Sequence, residues 1–272
     1  MSKIRRSARI VDITHELLTR PHTLIPLTFF AERYEAAKSS ISEDLAIVKE
    51  VFEKNGIGQL LTVAGAAGGV KFIPYLPKER ALAEIRAILR RLEDPDRLLP
   101  GGYLYMTDVL GEPQTLRQIG YMFATVFADC QADVVMTMET KGIPLAHATA
   151  EFLNLPVVVV RRDHKVTEGS AVSINYVSGS SKRIQTMSLS RRALSEEARV
   201  LIIDDFMKAG GTIRGMIDLL QEFQAHVVGI GVFVESAYAE ERLVDNYVSL
   251  ARLTEVDVRE RRIRLEPGNY FA

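Results

Sequence analysis

The 272-residue sequence has a single cysteine, Cys130, and almost no net charge. One cysteine excludes a disulfide bond within the chain, and no group of cysteines and histidines has the spacing of a zinc site. The formal net charge is −1, from 34 lysines and arginines against 35 acidic residues. The total charge therefore gives no reason to expect nucleic acid or an anionic membrane as a partner, and no metal site is predicted.

Long apolar runs are missing as well. The apolar run over residues 155–160 is far shorter than the ~20 residues that span a bilayer. The basic N-terminal sequence MSKIRR is not followed by an apolar segment of signal-peptide length. The sequence also lacks a Walker A motif and a G-x-G-x-x-G motif, which argues against a P-loop NTPase and a dinucleotide-binding fold. These absences predict a cytoplasmic protein without a membrane partner.

The length and composition fit a globular protein of one or two domains, with 47% hydrophobic residues. Two prolines in the sequence FIPYLP, residues 72–77, interrupt periodic structure and predict a boundary there. Residues 1–75 hold 10 basic and 8 acidic residues, and four of the basic residues lie in the first nine positions. We therefore predict a slightly basic domain over residues 1–74 and a slightly acidic domain over residues 75–272.

The N-terminal part has the pattern of three helices followed by a hairpin. Apolar spacing predicts a first helix over about residues 5–19, and Pro26 is predicted in the first turn of a short second helix that ends at Tyr34. Two strands are predicted over residues 58–63 and 69–73, joined by a glycine-containing turn.

The third helix has the strongest pattern of this part. The sequence SISE, residues 40–43, matches a capping box, and Asn55 with Gly56 is predicted to end the helix. Its apolar residues repeat at steps of four, three and four residues, at Ile41, Leu45, Val48 and Phe52.

Three helices and a hairpin in about 70 residues are the layout of a winged helix-turn-helix, whose third helix enters the major groove of DNA. Short hydroxyl side chains and a lysine near the start of that helix can contact bases or phosphates, and arginines of the N-terminal arm add further contacts. A helical docking or dimerisation module, with serines that serve only as caps, remains the alternative. The predicted DNA contacts are Arg5, Arg6, Arg9, Lys38, Ser39, Ser40, Ser42 and Lys71.

The rest of the sequence alternates strands with helices, which predicts a parallel sheet covered by helices. Ligands of such sheets bind at the carboxyl ends of the strands, so the turns after Met138, Val160 and Ile203 are the candidate sites. Strands are predicted over residues 134–138, 157–161, 200–204 and 227–234, and helices over residues 144–153 and 212–224.

The strongest motif is LIIDDFMKAGGT, residues 201–212. An apolar strand ends in two adjacent carboxylates, Asp204 and Asp205, and a loop of small residues then opens a helix. The backbone N–H groups of such a loop form a nest for a phosphate, and the carboxylates can accept hydrogen bonds from vicinal sugar hydroxyls near a divalent cation. The motif predicts a site for a ribose 5′-phosphate; a metal site or a solvated turn is the alternative for the acid pair.

This segment resembles the phosphoribosyl pyrophosphate (PRPP) motif of type I phosphoribosyltransferases. The resemblance implies that Asp204 and Asp205 hold the ribose hydroxyls and that residues 208–212 bind the 5′-phosphate. It also implies that residues 140–142 form a pyrophosphate loop and that residues 161–192 form a flexible loop over the site. Catalytic members of that family keep small or hydroxyl residues where this chain has Lys208.

The two halves together resemble the purine operon repressors of Gram-positive bacteria over nearly the whole chain. The matching segments are RRS (5–7), IPLTFF (25–30), KSSISED (38–44), GAAGGVK (65–71), PGGY (100–103) and SINYVSGS (173–180). This resemblance implies an α/β chain in which a winged helix-turn-helix domain is fused to a type I phosphoribosyltransferase fold, a mainly parallel sheet with flanking helices.

The same resemblance implies a homodimeric repressor of purine synthesis and transport genes that carries out no transfer reaction and needs no cofactor. PRPP, with Mg²⁺, is implied as the effector that releases double-stranded operator DNA, and (p)ppGpp as a ligand of the same pocket. An active purine phosphoribosyltransferase with an added helical module is the alternative. The predicted effector residues are Tyr103, Lys141, Gly142, Asp204, Asp205, Phe206, Met207, Lys208, Ala209, Gly210, Gly211 and Thr212.

Overall fold

The computed structural model describes residues 4–65, 68–99, 103–163, 169–177, 183–238 and 241–272. The chain divides into two compact units, Met1–Pro77 with Phe152–Asn154, and Lys78–Glu151 with Leu155–Ala272. Ala66 and Ala67 of the predicted turn and parts of the 161–192 segment lie outside the described residues. No helix of the described ranges is long and apolar enough to cross a membrane.

The N-terminal unit contains three helices and a three-stranded antiparallel sheet in the order β1-β3-β2. The four periodic apolar residues of the third helix are buried in its core, as their spacing predicted, beside Ile13 and Phe30. This arrangement confirms the winged helix-turn-helix. Its elements are α1 (Arg6–Thr19), β1 (Leu24–Pro26), α2 (Leu27–Arg33), α3 (Lys38–Lys54), β2 (Gly58–Val63) and β3 (Gly69–Pro74).

The predicted starts of the second and third helices are wrong. Pro26 is the last residue of β1 and precedes α2 instead of lying in its first turn. Helix α3 begins at Lys38 after Ala37, and no side chain caps it. The Ile41 N–H already donates to the Ala37 carbonyl at 3.1 Å, so Ser40 lies inside the first turn and the capping box does not form.

The C-terminal unit is built on a six-stranded sheet in the order β13-β12-β11-β10-β6-β7. All neighbours are parallel except the edge pair β12 and β13. This sheet confirms the predicted α/β fold. The elements are α4 (Lys78–Leu92), β4 (Leu98–Leu99), β5 (Tyr103–Leu104), α5 (Pro113–Val126), β6 (Val134–Met138), α6 (Gly142–Leu153), β7 (Val157–Val160), β8 (Ala171–Val177), β9 (Ile184–Ser190), β10 (Arg199–Met207), α7 (Gly211–Gln221), β11 (His226–Ser236), β12 (Val248–Asp257) and β13 (Arg262–Pro267).

Strand β10 is longer than the sequence pattern predicted. The prediction ended it at Asp204, but pairing with β11 continues through Met207 opposite Glu235. The two acidic residues are therefore part of the strand, since the sheet supplies hydrogen-bond partners that a short apolar run does not reveal.

The segment predicted as a flexible loop contains an antiparallel hairpin of β8 and β9. Tyr176 and Met187 of this hairpin are buried and pack against α7. A Cβ atom at Gly215 of α7 would lie 2.6 Å from Met187 Cε and 3.0 Å from Tyr176 Cβ. The described part of the segment is thus folded onto the unit, and closure of its remaining residues over a ligand stays a prediction.

Candidate functional site

A cavity of about 620 Å³ lies at the carboxyl end of β10 in the C-terminal unit. It brings together nearly all residues that the sequence assigned to the effector site, although they come from separate parts of the chain. The predicted residues that line it are Tyr103, Lys141, Asp204, Asp205, Phe206, Met207, Lys208, Ala209, Gly210, Gly211 and Thr212.

The loop between β10 and α7 has the geometry of an anion site. Gly210 precedes α7 with a φ of 91°, a left-handed conformation that favours glycine because it has no Cβ atom. A Cβ atom there would also lie 3.1 Å from Val244 Cγ2. The loop therefore leads directly into the N-terminus of an 11-residue helix, where free N–H groups and the helix dipole attract a phosphate.

The two acidic residues at the end of β10 are unusual for their burial, which is nearly complete for Asp204 and partial for Asp205. Asp204 is buried, and its Oδ1 accepts a hydrogen bond from the Asp205 N–H at 3.0 Å. Burial and then the charge of Asp205 raise the pKa of Asp204 well above its usual value. Burial also raises the pKa of Asp205, and the nearby cation of Lys141 opposes that shift. Such carboxylates gain most from a ligand that supplies hydroxyl donors or a cation.

Gly142 does not line the cavity, but it explains how Lys141 reaches it. A Cβ atom at Gly142 would collide with the Thr137 hydroxyl oxygen and lie 3.5 Å from Asp204 Oδ1. Only glycine fits there, so the start of α6 can approach the end of β10 closely. This approach places the Lys141 ammonium beside the acid pair.

A second wall of the cavity was missed by the sequence interpretation. It is mostly apolar and comes from β4, β5, β12 and the ends of neighbouring segments. Strands β4 and β5 are only two residues long, and the apolar residues of β12 follow the pattern of any half-buried strand, so neither pattern indicated a binding site. The additional lining residues are Leu99, Leu104, Met106, Ile213, Ser236, Tyr238, Leu253, Val256 and Val258.

In the N-terminal unit, the residues predicted to contact DNA fall into two groups. Lys38, Ser39 and Ser42 are exposed in the first two turns of α3, and Arg5 is exposed just before α1. Ser40 and Lys71 are half-buried, the former on α3 and the latter on β3.

Arg6 and Arg9 form the second group, because both bind the buried Asp44 of α3. Arg9 Nε lies 2.6 Å from Asp44 Oδ2, and Arg6 Nε lies 2.8 Å from Asp44 Oδ1. The side chain of Arg9 is only 9% exposed, whereas that of Arg6 is 54% exposed. Prediction of Arg9 as a DNA contact is therefore corrected: a buried, paired guanidinium fastens α1 to α3, and only Arg6 retains an exposed face.

Comparison with known proteins matches both units. The family described as "Bacterial purine repressor, N-terminal" matches residues 5–74, and "Phosphoribosyl transferase domain" matches residues 107–262. The chain is 61% identical to the "Purine biosynthesis transcriptional repressor PurR" of Bacillus subtilis over 99% of its own length and 94% of that protein. The chain belongs to the bacterial purine repressor family.

Other members of the purine repressor family show that the sign of regulation differs between them. The chain is 47% identical to the "Purine biosynthesis transcriptional activator PurR" of Lactococcus lactis strain IL1403, over 98% of this chain and 99% of that protein. Family membership therefore establishes a regulator of purine biosynthesis, and it confirms the resemblance found in the sequence.

Solved structures support the phosphoribosyltransferase fold of the C-terminal unit. Adenine phosphoribosyltransferase from Thermoanaerobacter pseudethanolicus aligns with a TM-score of 0.55 at 24% identity, over 63% of this chain and 99% of that one. The enzyme from Giardia lamblia aligns with a TM-score of 0.55 at 21% identity, over 64% of this chain and 98% of that one. At these identities the likeness concerns the fold alone.

Proposed function

We propose that this protein is a DNA-binding repressor of purine biosynthesis and transport genes, and that PRPP binding lowers its affinity for operator DNA. The observation that carries the proposal is the cavity at the end of β10. It combines a backbone anion nest, two desolvated carboxylates and a lysine in one space, which are the groups a phosphorylated ribose requires.

Each part of PRPP has a chemical counterpart in the cavity. The N–H groups of residues 208–212 and the N-terminus of α7 bind the 5′-phosphate, and Asp204 with Asp205 accepts hydrogen bonds from the ribose hydroxyls. Lys141 faces the pyrophosphate. The apolar wall beside Tyr103 suits the planar base of a nucleotide, which supports (p)ppGpp as a competing ligand.

Mg²⁺ fits this site as a companion of the ligand. The carboxylate oxygens of Asp204 and Asp205 are hard donors of the kind that Mg²⁺ prefers. Within the described ranges, no group of three acidic, histidine or cysteine side chains could hold a metal ion by itself. We therefore propose that Mg²⁺ binds together with PRPP, whose oxygens complete the coordination, and that no resident cofactor is required.

The first turns of α3 are the proposed DNA interface. Lys38, Ser39 and Ser42 are exposed there. Arg5 and the partly exposed Arg6, whose Nη2 lies 3.4 Å from Glu43 Oε2, lie at the start of α1. A homodimer places two such helices on the half-sites of one operator. A regulator of this kind acts where the DNA is, which in a bacterium is the cytoplasm.

Purine phosphoribosyltransferase activity is the second candidate function. The chain is 32% identical to the "Xanthine phosphoribosyltransferase" of Lactococcus lactis strain MG1363, over 53% of this chain and 75% of that protein. The loop over residues 208–212, called the phosphate loop below, counts against transfer, because Lys208 stands where catalytic phosphoribosyltransferases keep small or hydroxyl residues. Incubation with PRPP, Mg²⁺ and each purine base, followed by an assay for nucleotide, separates the two functions.

The decisive experiment is a titration of the protein onto labelled DNA from a purine-operon control region, followed by fluorescence anisotropy. We expect tight binding that weakens when PRPP and Mg²⁺ are added, and a variant with Asp204→Ala that binds the operator but no longer responds. The same titration with (p)ppGpp tests competition for the pocket. Unchanged operator affinity at saturating PRPP would refute the proposal.

A further inference from the structure

Arg242 hydrogen-bonds both the phosphate loop and the end of β11, although it does not line the cavity. Its Nη1 donates to the Lys208 carbonyl at 2.6 Å, and its Nη2 donates to Glu235 Oε2 at 2.8 Å and to the Ser236 carbonyl at 2.6 Å. The guanidinium thereby connects the loop after β10 to the end of β11. Three donors in fixed directions determine the position of each acceptor.

The two residues after Arg242 extend this connection along the loop. The Leu243 N–H donates to the Ala209 carbonyl at 2.9 Å. Val244 is buried next to Gly210, where its Cγ2 would lie 3.1 Å from an added Cβ atom. Two consecutive carbonyls of the phosphate loop are thus bound by residues 242 and 243.

Binding these carbonyls also sets the direction of the loop's donors. A trans peptide unit is planar, and its C=O and N–H point in opposite directions. The Lys208 carbonyl shares its peptide unit with the Ala209 N–H, and the Ala209 carbonyl shares its unit with the Gly210 N–H. Because both carbonyls point toward residues 242 and 243, the Ala209 and Gly210 N–H groups point away from those residues. In the described part of the chain, neither of these two N–H groups donates to a backbone acceptor.

We infer that Arg242 is a positioning residue: through the Lys208 carbonyl, its guanidinium holds the Ala209 N–H in the orientation that binds the ligand's phosphate. The Leu243 N–H holds the neighbouring Gly210 N–H in the same way, through the Ala209 carbonyl. The inference rests on the proposed function for the identity of the ligand, but not for the presence of an anion nest. Donors that are oriented before the ligand arrives bind more tightly, because no ordering of the loop has to accompany binding.

Arg242 is itself held in place by a buried acceptor. Glu235 is 5% exposed, and its two carboxylate oxygens also accept hydrogen bonds from Tyr247 Oη at 2.7 Å and Ser249 Oγ at 2.7 Å. Tyr247 and Ser249 therefore fix the carboxylate, and the carboxylate fixes the guanidinium. Neither Arg242 nor Glu235 carried a signal in the sequence, since their roles depend on contacts between distant segments.

The test compares Arg242→Met and Arg242→Lys with the natural chain. Calorimetric titrations use three probes: PRPP with Mg²⁺, pyrophosphate and inorganic phosphate. We expect Arg242→Met to weaken binding of each probe about tenfold and Arg242→Lys to restore part of the affinity, since an ammonium can donate to one carbonyl but not to the full set. In NMR spectra, the Ala209 N–H resonance should shift on phosphate addition in the natural chain and shift less in Arg242→Met.

Arg199→Met is the matched control, because Arg199 lies at the start of β10, at the other end of the strand from the cavity, and pairs with Asp133 at 2.9 Å. It should change thermal stability without changing affinity for the probes.

Equal affinity in the natural chain and Arg242→Met overturns the inference, as does an equal loss in both methionine variants. If Arg242→Met does not fold, natural affinity in Arg242→Lys overturns it. If the natural chain binds phosphate or pyrophosphate but not PRPP, the proposed effector is wrong, and the phosphate titrations still decide the role of Arg242. A natural chain that binds none of the probes refutes both.

Discussion

Asp44 shows how one residue changes the interpretation of its neighbours. Its side chain is 0% exposed, yet it is ionisable and lies on the helix proposed to contact DNA. The charge is tolerated because two arginines of α1 bind its two oxygens. Removal of one partner from a buried ion pair of this kind destabilises the fold, because the other charge stays buried without compensation.

We predict that Arg9→Met lowers the free energy of unfolding by about 3 kcal/mol, because it leaves the buried carboxylate with Arg6 alone. Urea denaturation measures this loss. Arg5→Met is the matched control, since Arg5 is exposed: it should leave stability unchanged and weaken operator binding. If Arg9→Met kept full stability and lost only DNA affinity, the original assignment of Arg9 as a DNA contact would be restored.

A second prediction concerns the pH dependence of Asp204. Its pKa in the folded protein is raised, chiefly by burial, so ionisation costs stability in the folded state but not in the unfolded chain. The cost is absent below the usual carboxyl pKa of about 4 and is complete above the raised pKa. Asp204→Asn should therefore raise the melting temperature of the ligand-free protein at neutral pH by at least ~2 °C, and the gain should shrink as the pH falls toward 4.

Asp133→Asn provides the opposite sign for comparison. Its hydrogen bond from Arg199 holds the pKa of Asp133 at about 2, so the ionised form stabilises the fold at neutral pH. Loss of this carboxylate should lower the melting temperature at pH 7, and the difference should vanish as the pH approaches 2. Melting curves that moved in the same direction for both variants would contradict the assignment of the two environments.

At the scale of elements, the start of α3 allows a test of whether Ser40 caps the helix. Because Ala37 precedes the helix and no side chain caps it, Ser40→Ala should change the free energy of unfolding by less than ~0.5 kcal/mol. A true capping serine would lose about 1 kcal/mol. Chemical denaturation of Ser40→Ala measures this change in the free energy of unfolding. A loss of about 1 kcal/mol would show that Ser40 caps the helix after all.

Lys38 begins the same helix and tests the proposed DNA interface. Lys38→Ala should weaken operator binding and reduce the slope of log affinity against log salt by about 1, since one phosphate contact is lost. Anisotropy titrations at several salt concentrations give the slope. Lys49→Ala is the control on the same helix, because Lys49 lies near its end and pairs with Glu53 at 3.8 Å. An identical salt slope in Lys38→Ala and the natural chain would count against this face of α3.

Apolar patterns predicted the positions of the helices and strands better than their ends. The periodicity of α3 predicted its buried face correctly, and the apolar runs of β6, β7, β10 and β11 predicted the core of the sheet. Helix starts and strand ends were less accurate, because a cap or the last ladder hydrogen bond depends on a neighbour that the local sequence does not name. The β8–β9 hairpin was predicted as part of a flexible loop because the segment is rich in serine, threonine and glycine. Strand β8 nevertheless has the apolar–polar alternation of a half-buried strand over residues 172–176.

For the whole molecule, the proposed function requires that the ligand and DNA affect each other reciprocally. If PRPP weakens operator binding by some factor, the operator must weaken PRPP binding by the same factor, commonly about 5 to 150. Calorimetric titration of PRPP into the free protein and into the protein with saturating operator measures this factor. Equal PRPP affinity in both titrations, alongside a PRPP effect on DNA binding, would show that PRPP acts by another route than coupling through this protein.

The sequence alone predicted a division into two domains and a phosphate-binding chemistry for residues 201–212, because these predictions depend on local order: prolines at a boundary, a strand followed by glycines, and adjacent carboxylates. The family followed from the resemblance of long segments to purine operon repressors, which the comparisons confirm. Tertiary structure decided which charges are available. It buried Arg9 against Asp44, withdrew Asp204 from water and placed Arg242 behind the phosphate loop. Burial and distance between remote segments set the energy of a charge, and neither quantity can be read from spacing along the chain.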